Sequence, residues 1–251
     1  MNPILVALDV ATAAEAEHLA AALGGAVGGF KIGKQLFTAE GPRVVRTLVG
    51  QGQRVFLDLK FHDIPNTVAG AVTSAASLGV WMVNVHASGG RPMMEAARDA
   101  ARRAADGSGR AAPLVVGVTV LTSMDAPTLA SVGVSGSPAE QVVRLAALAQ
   151  ASGLDGVVAS PQEVLAIRQT CGPDFVIVTP GIRGGAAESG PDDQHRTATP
   201  AGAMAAGSSY LVIGRPITGA TDPRAAACRI AAEMPPSSSG GSGRPEGLPY
   251  D

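Results

Sequence analysis

The sequence has little aromatic content and almost no net charge. Aromatic residues make up 3% of the 251 residues, whereas 46% are hydrophobic, so Ala, Val, Leu and Ile must build the core. Such a core suits a parallel sheet that helices cover on both faces. The formal net charge is −2, from 19 basic and 21 acidic residues. The chain therefore has no global positive field that would recruit nucleic acid, and any anion site must be local.

Cysteines and long apolar runs are also scarce. Cys171 and Cys228 are the only cysteines, and their wide separation fits neither a zinc motif nor a disulfide framework. Two free thiols are typical of a reducing compartment. No apolar run reaches the ~20 residues that span a bilayer, and the start, MNPILVALDV, lacks the charged segment of a signal peptide. We therefore expect a soluble, cytoplasmic protein.

Short apolar runs alternate with amphipathic stretches along the chain. Helices are predicted at 13–23, 42–49, 67–77, 92–105, 138–151, from Pro161, and at 223–234; Thr12 and Glu15 form a capping-box pattern at the start of the first. Strands are predicted at 4–8, 30–33, 55–60, 81–86, 114–121, 156–159, 175–179 and 210–213.

Strands that alternate with helices imply a parallel sheet. Eight such units in about 230 residues match a closed (β/α)₈ barrel, also called a TIM barrel, better than an open doubly wound sheet. The open sheet is the alternative, but the first turn, LDVATAA, lacks G-x-G-x-x-G. We predict one α/β barrel domain over residues 1–234. The Pro/Ser/Gly-rich tail 235–251 has almost no apolar content, so it is expected to be disordered.

One stretch, FLDLKFHDIPNT at 56–67, concentrates charge next to an apolar run. Alternation along a strand places Asp58 and Lys60 on one face, and Asp63 follows in the next loop. Pro65 and Asn66 predict a turn before the next helix. Because a buried charge is costly unless it is paired, the cluster indicates either an active site or a structural ion pair.

Other polar residues are predicted to lie beside this cluster. The carboxyl ends of barrel strands share one mouth, where active sites lie. Asp9 and Lys31 end the first and second strands there, so charges from three consecutive strands converge and favour the active-site interpretation. Lys31 and Lys60 argue against a metal, so His86 is expected to be structural. Further polar residues end the fourth and fifth strands: Asn84, Thr119, Thr122 and Ser123.

The loops after the last two strands are typical of a phosphate site. They read PGIRGG at 180–185 and IGRP at 213–216. Glycines let backbone N–H groups approach a phosphate, and Arg183 and Arg215 supply guanidinium forks. The long polar loop 183–199 is expected to be a lid, with a disordered connection as the alternative.

Together these segments resemble the orotidine 5′-phosphate decarboxylases, particularly the bacterial members. FLDLKFHDIPNT resembles the family signature, and only its D-x-K-x-x-D core is shared with sugar-phosphate decarboxylases and aldolase relatives. The likeness covers nearly the whole chain up to Met234: ALD at 7–9, FKIGKQLFT at 30–38, GVWMVNVHASGG at 79–90, VTVLTSM at 118–124, GLDGVV at 153–158, VTPGIR at 178–183, DQHR at 193–196 and VIGRPIT at 212–218.

The resemblance implies the last step of UMP synthesis, in which orotidine 5′-phosphate loses CO₂ without a cofactor or metal. Lys60 would protonate C6 of the pyrimidine, and Asp58 would face the substrate carboxylate. Lys31 and Asp63 would complete an alternating charge network. Asp63 and Thr67 would reach into the neighbouring subunit's site of a homodimer.

The resemblance also assigns residues that bind the rest of the substrate. Asp9 would bind the ribose hydroxyls, and Thr122 and Ser123 would lie near the pyrimidine. Four residues would hold the phosphate: Arg183, Gln194, Gly214 and Arg215.

Two other functions stay open. A sugar-phosphate lyase or decarboxylase on the same barrel often uses Mg²⁺ and would lose activity to a chelator. A catalytically silent ligand-binding barrel is a different class, and the intact set of charged residues argues against it.

Overall fold

Eight parallel strands close into a barrel in the order in which they occur along the chain. The computed structural model describes residues 2–182 and 198–234. The strands are β1 Ile4–Ala7, β2 Gly29–Gly33, β3 Val55–Phe61, β4 Met82–His86, β5 Leu114–Val118, β6 Gly156–Val158, β7 Val176–Thr179 and β8 Tyr210–Ile213. The (β/α)₈ barrel predicted from the sequence is confirmed.

Helices surround the barrel. Those of the described residues are α1 Ala13–Leu23, α2 Lys34–Glu40, α3 Pro42–Gly50, α4 Pro65–Ser77, α5 Arg91–Ser108, α6 Ala126–Ser131, α7 Pro138–Ala151, α8 Val164–Cys171, α9 Pro200–Ala206, α10 Arg215–Thr218 and α11 Pro223–Glu233. Two 3₁₀ turns, Ala87–Gly89 and Pro161–Glu163, complete the set.

Local sequence signals explain where several helices begin. The capping box predicted at Thr12 and Glu15 is present at the start of α1, and Ser137 and Glu140 form a second one before α7. The turn predicted at Pro65 and Asn66 is wrong, because Pro65 is the first residue of α4. Proline suits that position, since the first helical N–H has no partner within the helix.

Four short helices were not predicted, and their burial explains why. Leu36 is the only buried residue of α2, Leu129 of α6 and Ile217 of α10, while α9 buries only Pro200 and Ala203. A helix that buries so little shows no apolar stripe in its sequence. The helix α5 also runs further than predicted, to Ser108, before Gly109 ends it in the left-handed conformation.

The apolar core has two layers. Between the strands and the helices lies the larger layer, which includes Leu57, Val83 and Ile177. A smaller layer fills the barrel interior: Leu5, Ala7, Phe56, Met82, Val116, Val178 and Val212. The inward faces of most strands are thus apolar through the middle of the barrel, whereas β2 carries Lys31 at the level of Phe56.

Some predictions concern residues that the structure does not describe. The tail 235–251 and most of the lid 183–199 lie outside the described residues, so the division at residue 234 stays a prediction. Within the described ranges, no helix combines the length and apolar character that crossing a membrane requires.

Candidate active site

The inward face of neighbouring strands turns from apolar to charged at the carboxyl-terminal mouth of the barrel. On β3, Phe56 belongs to the interior core and Asp58, two residues on, faces the mouth. Strand pairing sets Lys31 of β2 beside Phe56, and Gly33 beside Asp58. The strand register therefore places Lys31 one inward position deeper than Asp58, and its long side chain carries Nζ up to the carboxylates of Asp9 and Asp58.

These charges touch in an alternating chain. Lys31 Nζ lies 3.0 Å from Asp9 Oδ1 and 3.6 Å from Asp58 Oδ2. Lys60 Nζ donates to Asp58 Oδ1 at 2.5 Å. We call Asp9, Lys31, Asp58 and Lys60 the ion chain. Its order is negative, positive, negative, positive, so each inner charge has neighbours of opposite sign.

Burial differs along the ion chain. The side chains of Lys31 and Asp58 are 10% and 12% exposed, against 25% for Lys60 and 58% for Asp9. Burial acts to raise the pKa of Asp58, but the charges of Lys31 and Lys60 and the hydrogen bonds from Lys60 and Asn84 outweigh it and lower that pKa. Asp58 is therefore ionised at neutral pH, and Lys60 is the more solvent-accessible of its two lysine partners.

Strand β3 is bulged where it carries these groups. Leu57 lies opposite Val83, but Phe61 lies opposite Val85, so β3 takes four steps where β4 takes two. Lys60 has φ +53°, the only positive φ of a non-glycine residue among the described residues. Such a conformation costs on the order of 1 kcal/mol or more and tends to occur at functional sites.

Asn84 spans the bulge from β4. Its side chain is fully buried. Its Oδ1 accepts the backbone N–H of Lys60 at 2.8 Å, and its Nδ2 donates to Asp58 Oδ1 at 2.7 Å. Sequence reasoning placed Asn84 at a strand end without a role. The signal in the sequence that could have identified this role is an asparagine on the strand that follows the D-x-K strand.

Two histidines lie beside the ion chain. The rings of His62 and His86 have centroids 5.3 Å apart. Burial, with the nearby His62, Lys34 and Lys60, lowers the pKa of His86 to about 4, and Asp58 only partly opposes this. His86 is thus neutral at pH 7. In the part of the chain that the structure describes, no three His, Cys, Asp or Glu residues form a group that could hold a metal ion.

Two predicted site residues, Asp63 and Thr67, lie apart from the ion chain. Both are exposed, and Asp63 Oδ1 accepts the backbone N–H of Ile64 at 2.6 Å. Among the described residues, no ion pair joins Asp63 to the lysines. Ile64 itself is 67% exposed, which is unusual for a large aliphatic residue. All three side chains are therefore accessible from outside the subunit.

The structure describes only some of the remaining predicted binding residues. Thr122 and Ser123 lie in the turn after β5, half-buried and exposed respectively. Gly214 precedes α10, and Arg215 is the exposed first residue of that helix. Arg183 and Gln194 lie outside the described residues.

The sequence matches known proteins over nearly its whole length. The model of the orotidine 5′-phosphate decarboxylase / HUMPS family matches residues 2–230. Orotidine 5′-phosphate decarboxylase from Halorhodospira halophila is 58% identical over 231 residues, which cover 92% of this chain and 95% of the relative. The enzyme of the same name from Moorella thermoacetica is 55% identical over 234 residues, covering 93% and 92% respectively.

A solved structure agrees with these sequence matches. The crystal structure of orotidine 5′-phosphate decarboxylase from Lactobacillus acidophilus superposes with a TM-score of 0.83 at 39% identity, covering 93% of this chain and 99% of that one. Both the motif-based resemblance and the barrel are therefore confirmed, and the chain belongs to the orotidine 5′-phosphate decarboxylase family.

Proposed function

We propose that this protein decarboxylates orotidine 5′-phosphate to UMP and CO₂, with Lys60 as the proton donor. The observation that carries this proposal is the ion chain, which holds two lysines and two aspartates in contact at the barrel mouth. Membership of the decarboxylase family supports the substrate.

The reaction needs a cation at the carbon that loses CO₂. When the bond from C6 to the carboxylate breaks, its electron pair stays on C6 as CO₂ leaves. The pyrimidine offers this pair no strong electron sink, so a nearby ammonium must stabilise it electrostatically. Lys60 Nζ then gives a proton to C6 and becomes a neutral amine. The net reaction consumes one proton, which solvent returns to Lys60.

Asp58 contributes in two ways. Its Oδ1 accepts from Lys60 Nζ at 2.5 Å and so fixes the direction of the ammonium. Because its pKa is lowered, it also presents a negative charge to the substrate carboxylate. That repulsion raises the energy of the bound substrate and is relieved when CO₂ departs. Lys31, 3.6 Å from Asp58 Oδ2, keeps this carboxylate ionised in the unloaded site.

Binding of the ribose and phosphate supplies energy for the reaction. Asp9, the exposed end of the ion chain, binds ribose hydroxyls, and Thr122 and Ser123 contact the pyrimidine. The phosphate is held by Arg183, Gln194, Gly214 and Arg215. Contacts remote from C6 can offset the cost of placing the substrate carboxylate against Asp58.

The site is completed across a homodimer. Asp63 and Thr67 are exposed beside the exposed Ile64, so in a dimer they reach the ion chain of the neighbouring subunit. Mixing Lys60→Ala with Asp63→Ala protein tests this. If Asp63 acts across the interface, each mixed dimer regains one intact site, and a random mixture recovers about a quarter of wild-type activity. If Asp63 acts within its own subunit, mixing recovers nothing.

A spectrophotometric assay with orotidine 5′-phosphate tests the activity itself. We expect loss of the orotate absorbance at an unchanged rate with and without EDTA. Activity that EDTA abolishes would instead favour a Mg²⁺-dependent sugar-phosphate enzyme. No turnover by folded dimer would indicate a silent ligand-binding barrel.

A further inference from the structure

The amide of Asn84 has an orientation that chemistry fixes. A backbone N–H can only donate and an ionised carboxylate can only accept. Asn84 Oδ1 must therefore face Lys60 N, and Nδ2 must face Asp58 Oδ1, as observed at 2.8 and 2.7 Å. A fully buried amide without such partners would be costly. Asn84 thus joins the backbone of one reactive residue to the side chain of the other.

The bulge explains why this link is needed. Between Leu57 and Phe61, β3 leaves the regular pairing with β4, and Lys60 adopts φ +53°. A strand N–H in this position loses its partner in the sheet. The side chain of Asn84 supplies that partner from β4, so it stabilises a backbone conformation that a lysine rarely adopts.

The same amide also fixes Asp58. Oδ1 of Asp58 accepts from Lys60 Nζ at 2.5 Å and from Asn84 Nδ2 at 2.7 Å. With two donors on one oxygen, rotation of the carboxylate would break both bonds. Lys60 Nζ therefore meets Asp58 from one direction only.

We infer that Asn84 is a positioning residue, which aims the Lys60 ammonium at the substrate through the bulged backbone and the Asp58 carboxylate. The inference rests on the proposed function, because it assigns Lys60 as the proton donor. Asn84 itself does not touch the reacting atoms. Its loss therefore slows the chemical step more than it weakens ligand binding.

Two substitutions separate the hydrogen bonds of the Asn84 side chain from its size. Asn84→Asp keeps the size and the acceptor for Lys60 N but replaces the donor with an oxygen. Asn84→Ser removes bulk and adds no charge. We expect each substitution to lower kcat about 10–100-fold, which is the typical loss of activity when a residue that orients another functional group is replaced. The dissociation constant of UMP should change less than threefold, a limit on the order of 0.6 kcal/mol.

The pH profile provides a readout that a structural defect would not move. Protonation of the new carboxyl in Asn84→Asp restores a donor toward Asp58. We therefore expect kcat of Asn84→Asp, divided by the wild-type kcat at the same pH, to rise as the pH falls from 8 to 5, about tenfold per pH unit at most. Asn84→Ser should show no such recovery.

Ser208→Ala is the matched control. Ser208 is 5% exposed, and its hydroxyl hydrogen-bonds to that of Thr179 at 2.7 Å rather than to a member of the ion chain. It loses one buried hydrogen bond and should keep wild-type kcat. If both Asn84 variants keep wild-type kcat, or if Ser208→Ala loses as much, the inference fails. Turnover of the wild type tests the proposed function separately, since the inference depends only on the ratio of variant to wild type.

Discussion

The two ends of the barrel hold charged side chains in opposite ways. At the mouth, the ion chain pairs lysine with aspartate on a strand whose backbone is strained at Lys60. At the opposite end, Arg168 meets no carboxylate within hydrogen-bonding distance among the described residues. It donates instead to the carbonyls of Gly172, Pro173, Phe175 and Gly207 and to the hydroxyl of Ser209.

This difference indicates separate roles for the mouth and the opposite end of the barrel. The acceptors of Arg168 precede β7 and β8, so one guanidinium ties together the entries of two strands. Neutral carbonyls satisfy this cation, whereas the ion chain leaves Lys60 partly exposed and able to meet a ligand. We therefore expect substitutions at the mouth to change activity more than stability, and substitutions at the opposite end to do the reverse.

The largest effect should come from removing the proposed proton donor. Lys60→Ala is expected to lower kcat by roughly 10³-fold or more, because both electrostatic stabilisation and proton transfer are lost. UMP should still bind in calorimetry, since this variant keeps the residues proposed to hold its phosphate and ribose. Lys34→Ala is the control, because Lys34 is exposed near the mouth but outside the ion chain. Turnover of Lys60→Ala near the wild-type rate would refute the assignment.

Arg168→Met should have the second largest effect, and on stability alone. It leaves partly buried carbonyls without a donor, and we expect the free energy of unfolding in urea to fall by about 2–4 kcal/mol. At 25 °C kcat should be unchanged. Arg168→Lys should recover less than half of the loss, because an ammonium cannot reproduce the fork. A kcat that falls as much as stability would contradict the separation of the two ends.

Arg215→Ala tests the phosphate side of the mouth. Removing this proposed phosphate contact should lower kcat/KM about 10–100-fold, mainly through KM, because a charge-assisted hydrogen bond would be lost. Steady-state kinetics measures it. Arg224→Ala is the control, since this exposed arginine donates to the carbonyls of Ala22 and Gly24 instead. An unchanged kcat/KM in Arg215→Ala would place the phosphate elsewhere.

The strain at Lys60 predicts a smaller effect, in which the usual order of stability of alanine and glycine variants is reversed. Lys60→Gly should be more stable than Lys60→Ala by about 1 kcal/mol, because glycine adopts a positive φ without steric cost. At Leu59, where φ is not positive, glycine should instead be less stable than alanine. Urea denaturation of the four variants measures both differences. If alanine is the more stable at both positions, the backbone at Lys60 is not strained.

His86 gives the smallest expected effect. Its pKa in the fold is about 4, below the ordinary 6.5, so the unfolded chain takes up a proton first as the pH falls. Stability from this residue is therefore lost between about pH 6.5 and 4, by about 1 kcal/mol or less after solvent screening. The pKa of Asp58 is lowered from 3.8, so its contribution to folding stability is lost only at a lower pH.

Urea midpoints at pH 7 and pH 5 measure this dependence. His86→Asn should flatten the loss of stability between the two pH values, whereas the exposed His18→Asn should not. An equal slope in wild type and His86→Asn would show that the ring is not held neutral by its surroundings.

The sequence predicted the barrel and most of the ion chain, because both depend on regular periodicity. Eight apolar runs indicated the strands, and the two-residue period correctly placed Asp58 and Lys60 on one face. The bulge escaped prediction, since D-x-K fits a regular strand equally well. It depends on pairing between Leu57 and Val83 and between Phe61 and Val85, which only the folded barrel defines.

The separation of Lys60 from Asn84 by 24 residues has a consequence for transplanting this site. The D-x-K-x-x-D motif begins on β3 and contains the proposed reactive groups, but not the amide that accepts the backbone N–H of Lys60. Grafted alone onto another barrel, the motif would form a straight strand and direct its lysine differently. A functional graft must therefore carry two adjacent strands, with the asparagine of the second set opposite the bulge of the first.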